Sequence, residues 1–330
     1  MATVVSPPVE NAKKRIGMSP VTLRMFYLLI AYAIMCVYLS LAAPNFLTER
    51  NLVNILRQMS MIAIIGVGMT MVIIAAEIDL SVGSMAAFSG VLLAMMTAQW
   101  KMSLPFAVAL TLSVASLSGL IIGILRASLR IPSFISSLAL LTTLRSAAFL
   151  LTGGFPISPL PPGFELLGNG AVGPIPVPVI LMGLIYFIGF VVMANTPWGR
   201  CVYAVGGNEE AARLSGISVP QIKIGVFVIS SVLAALAGLI LTARLEAGQA
   251  AVAQGWELDV IAAVIIGGTT LSGGSGNILG TLLGGLFMGT LQDGMVLIGV
   301  SPFSQGIVSG IVILAAVILG AMQTRGALQY

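Results

Sequence analysis

Apolar stretches of about 20 residues recur along nearly the whole of this chain, and each is long enough, at 1.5 Å per helical residue, to cross the roughly 30 Å of a bilayer's hydrocarbon. Only 8% of the residues are charged, against about 25% in soluble domains, so no water-soluble surface can be built. The membrane is the solvent. Lipid cannot hydrogen-bond a backbone, which leaves a helix bundle or a closed barrel, and continuous apolar runs rather than alternating ones select helices. The pattern predicts an all-α polytopic membrane protein of about ten transmembrane helices, at 23–43, 59–78, 80–98, 104–125, 132–152, 176–194, 222–243, 256–271, 277–299 and 302–321. Glycine and proline interrupt many of these runs, so Gly-rich, broken helices are expected among them.

The basic residues set the orientation. With the N-terminus in the cytoplasm, Lys13, Lys14, Arg15, Arg24, Arg126, Arg130, Arg200, Arg213, Lys223 and Arg325 lie inside, while only Arg50, Arg57, Lys101 and Arg244 lie outside. The positive-inside rule then places both termini in the cytoplasm. The same bias accounts for the net charge of +4 without any nucleic-acid partner. Residues 1–20 are polar, and the first apolar run lacks a small-residue cleavage site, so it reads as a retained helix. Cys36 and Cys201 are far apart in this topology and imply no disulfide framework. With no histidine and no cluster of thiols or carboxylates at ligand spacing, no metal site is expected, and an intramembrane enzyme loses most of its options.

The expected organisation is a cytoplasmic tail over 1–22, one transmembrane domain over 23–321 and a cytoplasmic tail over 322–330. Two loops interrupt the domain. The external segment Gly153–Pro176 is too rich in proline to span. The internal segment 195–223 is the only substantial cytoplasmic excursion. No GxxxxGK[ST] phosphate-binding loop occurs, so any ATPase that drives this protein must be another polypeptide. Ile73–Gly83 (IIAAEIDLSVG) and Ile265–Gly274 (IIGGTTLSGG) echo one another, either as a transporter repeat with broken helices or as a chance product of a Gly- and Ile-rich chain.

Three segments carry the candidate chemistry. In GMTMVIIAAEIDLSVGS, Gly68–Ser84, the carboxylates of Glu77 and Asp79, followed by Ser81, sit between two apolar spans. Charge at membrane depth usually faces a cavity or a partner, although Asp79 can equally cap the following helix. In the cytoplasmic loop, Asn208 is placed to cap a short helix opened by Glu209 and Glu210, with Ala211, Ala212, Leu214 and Ile217 on an apolar face, Arg213 within it, and Gly216 as its stop. Such a face needs a partner, or else the lipid headgroups, to cover it. In Trp256–Gly285 small residues abound, GGSG reads as a tight cytoplasmic turn, and Asn277 follows it. Of the polar residues within spans, Asn54, Gln58, Thr142, Thr143, Arg145, Ser146, Gln292, Asp293 and Gln305, the most costly is Arg145, for which Asp293 or Glu77 is the expected ion partner. The translocation-path candidates are therefore Glu77, Asp79, Ser81, Arg145, Asn277 and Asp293.

Glu210-Ala211-Ala212, three residues and then Gly216 resembles the EAA-x-x-x-G loop of ATP-binding-cassette importer permeases. With GGNEEAARLSGI, the Gly68–Ser84 segment and WELDVIAAVIIGGTTLSGGSGNILGTLLGG in the same order, the chain from Leu47 to Leu319 resembles the permease family of ribose and related monosaccharide importers. The resemblance implies a multi-pass subunit of the bacterial inner membrane that works by alternating access and has neither enzymatic activity nor a cofactor of its own. It implies a separate cytoplasmic ATPase that uses ATP and Mg and docks on Asn208–Gly216, a periplasmic solute-binding protein, and a second permease copy, identical or related. Many members of that family carry glycine at the position of Glu77, so the resemblance does not fix ribose as the solute. An ion-coupled secondary transporter is the alternative on helix pattern alone, but it has no use for an ATPase-docking helix.

Overall fold

The computed structural model describes residues 20–327, so most of the expected N-terminal tail, with Lys13, Lys14 and Arg15, and the last three residues lie outside the described part. Along it run α1 (Pro20–Ala42), α2 (Glu49–Ile74), α3 (Val82–Ala94, continued by a π-helical turn at Met95–Gln99), α4 (Leu104–Leu129), α5 (Ser133–Thr152), the short α6 (Leu166–Asn169) and the hairpin of β1 (Ala171–Val172) with β2 (Ile175–Pro176). There follow α7 (Val177–Asn195), α8 (Pro197–Gly207), α9 (Glu209–Leu214), α10 (Val219–Leu245), α11 (Trp256–Ile266), α12 (Ile278–Leu297) and α13 (Pro302–Ala327). Seven helices among the described residues, α1 to α5, α7 and α10, are long and apolar enough to cross a membrane.

Two differences from the expected spans matter. The second span does not begin at 59 and end at 78: α2 begins at Glu49, where Thr48 accepts a hydrogen bond from the Asn51 amide at 3.4 Å, and stops at Ile74. Hydropathy marks only the apolar part of a helix, whereas its hydrogen bonds run on through Arg50, Asn51, Asn54 and Arg57. The expected span at 256–271 is helical only over the 11 residues of α11. Eleven residues rise about 16 Å, half a bilayer. Extended and turning backbone leads into it from Glu246 and out of it to Asn277.

α2 and α10 form the axis. From Met59 to Ile74 every residue of α2 is buried, in one cluster with Val226, Phe227, Ala234, Ala235 and Ala237 of α10. Helices in lipid gain nothing from apolar burial against one another, so close packing must hold them. Glycine supplies it: a methyl group added at Gly68 would meet Ser230 Cα at 2.7 Å, and one at Gly123 would meet Ile224 Cα at 2.6 Å. Gly238 likewise abuts Ala86, and Gly90 abuts Thr242. Those last two contacts set α3 and α10 parallel, residue 86 beside 238 and 90 beside 242. Val82 is then level with residue 234, about 22 Å from the start of α10. The break between α2 and α3 therefore lies deep within the bundle. On the opposite side of the molecule the proline-rich segment folds over the helix ends, pinned by the Ile157–Gly248 bridge and by Asn169 Nδ2 donating to Arg244 O at 3.2 Å.

Candidate functional site

The echoing segments are both helix breaks, and they touch. α2 ends as Ala75 and Ala76 turn the chain, Ala76 in the left-handed region at φ 60°. The freed carbonyl of Ile74 accepts the amide of Gly274, at 2.8 Å, from the glycine turn between α11 and α12. Gly206, at the end of α8, packs on the same carbonyl, and Tyr203 donates to Gly276 O at 3.0 Å. Backbone polar groups away from water need partners, and this freed carbonyl finds one in the other break.

Glu77 follows at once, and its side chain is 4% exposed. Its partner is not Arg145. Glu77 Oε1 accepts from Arg126 Nε at the end of α4 and from Lys223 Nζ in the first turns of α10, both at 2.7 Å. Lys223, itself 3% exposed, also donates to Glu209 Oε2 of α9 at 2.6 Å, and Arg126 lies 3.5 Å from the same oxygen. Two carboxylates and two cations thus form a closed, charge-balanced cluster from the break to α9. Burial alone would raise the Glu209 carboxyl, but the Lys223 hydrogen bond and the charges of Lys223, Arg126 and Arg130 hold it below the usual range.

Asp79 does not cap α3, whose first flanking residue is Ser81. It is fully buried and accepts from the Ser81 amide at 2.9 Å, from Ser81 Oγ at 2.6 Å and from Ser230 Oγ of α10 at 2.9 Å. Three hydrogen bonds satisfy the carboxyl and tie the break to α10 at the level where Gly68 also touches it.

The helix α9 is short and well defined. Asn208 Oδ1 accepts from the Ala211 amide at 2.9 Å, and Gly216 follows the helix at φ 83°. Glu210 pairs with Arg213 at 2.6 Å, a hydrogen bond that lowers the Glu210 carboxyl. Ala212 is buried, but Ala211 is exposed and Leu214 is 77% exposed. Glu209 faces inward to Lys223, while an apolar edge faces outward.

The other candidates lie elsewhere. Arg145, on α5, donates to the carbonyls of Ala250, Val252 and Ala253 at 2.8, 2.6 and 3.3 Å, so backbone oxygens hold it, with the nearby Glu257 acting through its charge, and neither Asp293 nor Glu77 is its partner. Asn277 caps α12 by accepting from the Leu279 amide at 2.9 Å. Asp293 accepts from Asn51 at 2.9 Å and from Asn54 at 3.4 Å. Glu77, Asp79 and Ser81 are brought together; Arg145, Asn277 and Asp293 are not. Sequence reasoning missed Arg126, Lys223 and Ser230. The first two count as ordinary inside charges, and the only clue was that Lys223 falls four residues into the apolar α10.

The fold and this cluster define a class: a polytopic helical membrane protein whose broken helices are wired to a short exposed helix. Comparison with known proteins narrows it. The chain belongs to the family described as branched-chain amino acid transport system / permease component, whose model matches residues 51–317. It is 41% identical over 315 residues to the ribose import permease protein of Haemophilus influenzae, covering 94% of this chain and 96% of that protein. It is 43% identical over 288 residues to the ribose import permease protein of Bacillus subtilis (87% and 89%), and 34% identical over 359 aligned positions to the xylose transport system permease protein of H. influenzae (90% and 96%). No solved structure matches. The protein is a multi-pass permease of the bacterial inner membrane.

Proposed function

We propose that this chain is the permease subunit of an ATP-driven importer for a monosaccharide, with a pentose as the first solute to test. Relatives named for ribose and xylose import, matched over nearly their whole length, support the solute class. They do not favour the ion-coupled alternative. The observation that carries the mechanism is the Glu209–Lys223–Glu77–Arg126 cluster, which joins an exposed cytoplasmic helix to the break between two deep helices. In this reading α9, with Asn208, Glu209, Glu210, Ala211, Ala212, Arg213 and Gly216, docks a separate ATPase. Its displacement moves Glu77, Asp79 and Ser81 along the translocation path. Ten membrane segments, the half-span α11 among them, with both termini cytoplasmic, agree with the basic-residue bias. A second permease copy and a periplasmic binding protein complete the assembly, and ATP with Mg acts at the ATPase alone.

Reconstitution tests this. The purified chain should neither hydrolyse ATP nor accumulate sugar, and with its ATPase and a pentose-loaded binding protein it should do both in step. ATP hydrolysis by the pure chain, or uptake driven by an ion gradient without the ATPase, would end the reading.

A further inference from the structure

Between α10 and α11 the chain does something costly. It leaves α10 at Glu246, passes Gly248 against Ala94 of α3, and reaches Ala253 and Glu257 beside Gly83 in the first turns of α3, without forming a helix until Trp256. Since α3 runs parallel to α10 with 86 level with 238, Gly83 is level with residue 235. That is ten residues, or about 15 Å, below the outer end of α10. Non-helical backbone therefore reaches the middle of the bilayer. It is not enclosed there: Ala251 and Gln254 are exposed. On the neighbouring α5, Thr142, Thr143 and Ser146 are exposed as well, flanking Arg145. Irregular backbone and an amide side chain at that depth are tolerated against protein or water, but not against lipid.

The loop is held in place. Arg145 occupies the carbonyls of Ala250, Val252 and Ala253, fixing the segment from outside the helix ladder. Glu257 is placed by the absence of a side chain at Gly83, where any Cβ would collide with its Oε2. Oε2 is buried and has no hydrogen-bond partner among the described residues. The first turn of α3, which no side chain caps, lies beside that carboxyl. An acceptor oxygen without a partner among the described residues thus lies three residues along the chain from an exposed amide that can both donate and accept.

We propose that the exposed seam of residues 250–257 and mid-α5 is the wall of a hydrated solute path, in which Glu257 and Gln254 bind the hydroxyls of a neutral polyhydroxylated solute. The carboxylate accepts from one hydroxyl and the amide pairs with its neighbour. Glu257, with Asp259 two residues on, repels anionic solutes. Few contacts suit a path from which the solute must leave. The proposal rests on the importer reading and names the residues that reading leaves open.

The test uses the complete importer in proteoliposomes, with Cys36 and Cys201 replaced by serine. Gln254→Cys and Ala251→Cys should react with the water-soluble, membrane-impermeant thiol reagent MTSET, whereas Phe187→Cys, at a 66% exposed apolar position on α7, should stay unreactive. Radiolabelled ribose and xylose, each with its binding protein, should slow the Gln254→Cys reaction if carried. Glu257→Gln should lose about tenfold or more in uptake at low solute, the worth of one charge-assisted hydrogen bond, with binding-protein-stimulated ATPase activity retained. Cysteines at 251 and 254 as inert as the one at 187, or unchanged uptake in Glu257→Gln, would overturn the proposal. A wild-type complex whose ATPase does not respond to loaded binding protein would instead overturn the importer reading beneath it.

Discussion

Neutralising Glu77 separates a wired break from a merely buried one. In Glu77→Gln the two cations that share Oε1 lose their charged partner. Removing one member of a buried ion pair costs about 3–5 kcal/mol, because the other charge stays desolvated. Here the cost should be smaller. Lys223 keeps Glu209 at 2.6 Å, Arg126 is 23% exposed and can turn to water, and the glutamine carbonyl still accepts one hydrogen bond. About 2–3 kcal/mol of destabilisation is expected, read by denaturant unfolding in detergent micelles. Lys223→Met then gives a sharp check. With both Glu77 and Lys223 made neutral, Arg126 and Glu209 still face each other, and the buried pair is replaced by groups needing no charge partner, which is often nearly neutral for stability. The double variant should therefore be more stable than the sum of the singles by about 1 kcal/mol or more. It should nevertheless lose uptake relative to ATP hydrolysis, since α9 then keeps only the longer Arg126 contact to the break in place of the buried ion pairs. Additive stabilities would refute the cluster as a coupled unit, and full uptake in the double variant would refute it as the transmitter.

Ala76, held at φ 60°, should be relieved by Ala76→Gly, raising stability by about 0.5–1 kcal/mol in the same unfolding measurement. Gly206→Val, whose Cβ would collide with Ile74 O, should displace one of the two breaks, costing on the order of 3 kcal/mol or preventing assembly, as monitored by size-exclusion yield with the ATPase. Gly216→Val, at φ 83°, should strain the end of α9 and weaken ATPase co-purification while leaving membrane insertion intact. The lowered Glu209 carboxyl binds its proton less readily when folded than when unfolded, so its contribution is complete above the ordinary carboxylate pKa and fades as pH falls through the lower folded value. Protection factors of α9 amides, with the intrinsic exchange rate divided out, should thus hold at neutral pH and fall only in acid below the usual carboxylate range, and Glu209→Gln should reduce that fall to the share of Glu210.

The membrane class, the long apolar helices and the short helix with its Asn208 cap were legible in the sequence because each depends on local chemistry. Length, hydropathy and cap residues are read within a few positions of one another. What was not legible is long-range pairing. Lys223 has the same letter whether it faces solvent or, as here, a carboxylate 146 residues away in the chain and a second on α9. Arg145 looked in need of a counter-ion because sequence shows side chains and hides the carbonyls that a broken backbone leaves free. The end of α11 was misplaced for the reverse reason: Gly267 and Gly268 pass as helical glycines until φ 94° at Gly268 turns the chain away. Glu257, within a segment noted for its glycines, drew no notice because its role depends on the missing Cβ of Gly83.

The contact at Ile74 has a mechanical consequence. The carbonyl at the end of α2, the amide of Gly274 and the bare Cα of Gly206 meet backbone to backbone, with no rotamer between them to absorb a displacement. A push delivered through α8 cannot be spent on side-chain rearrangement, and neither break can shift without carrying the other. The ends of α2 and α12 that meet there are thus expected to move in concert, as one hinge rather than two.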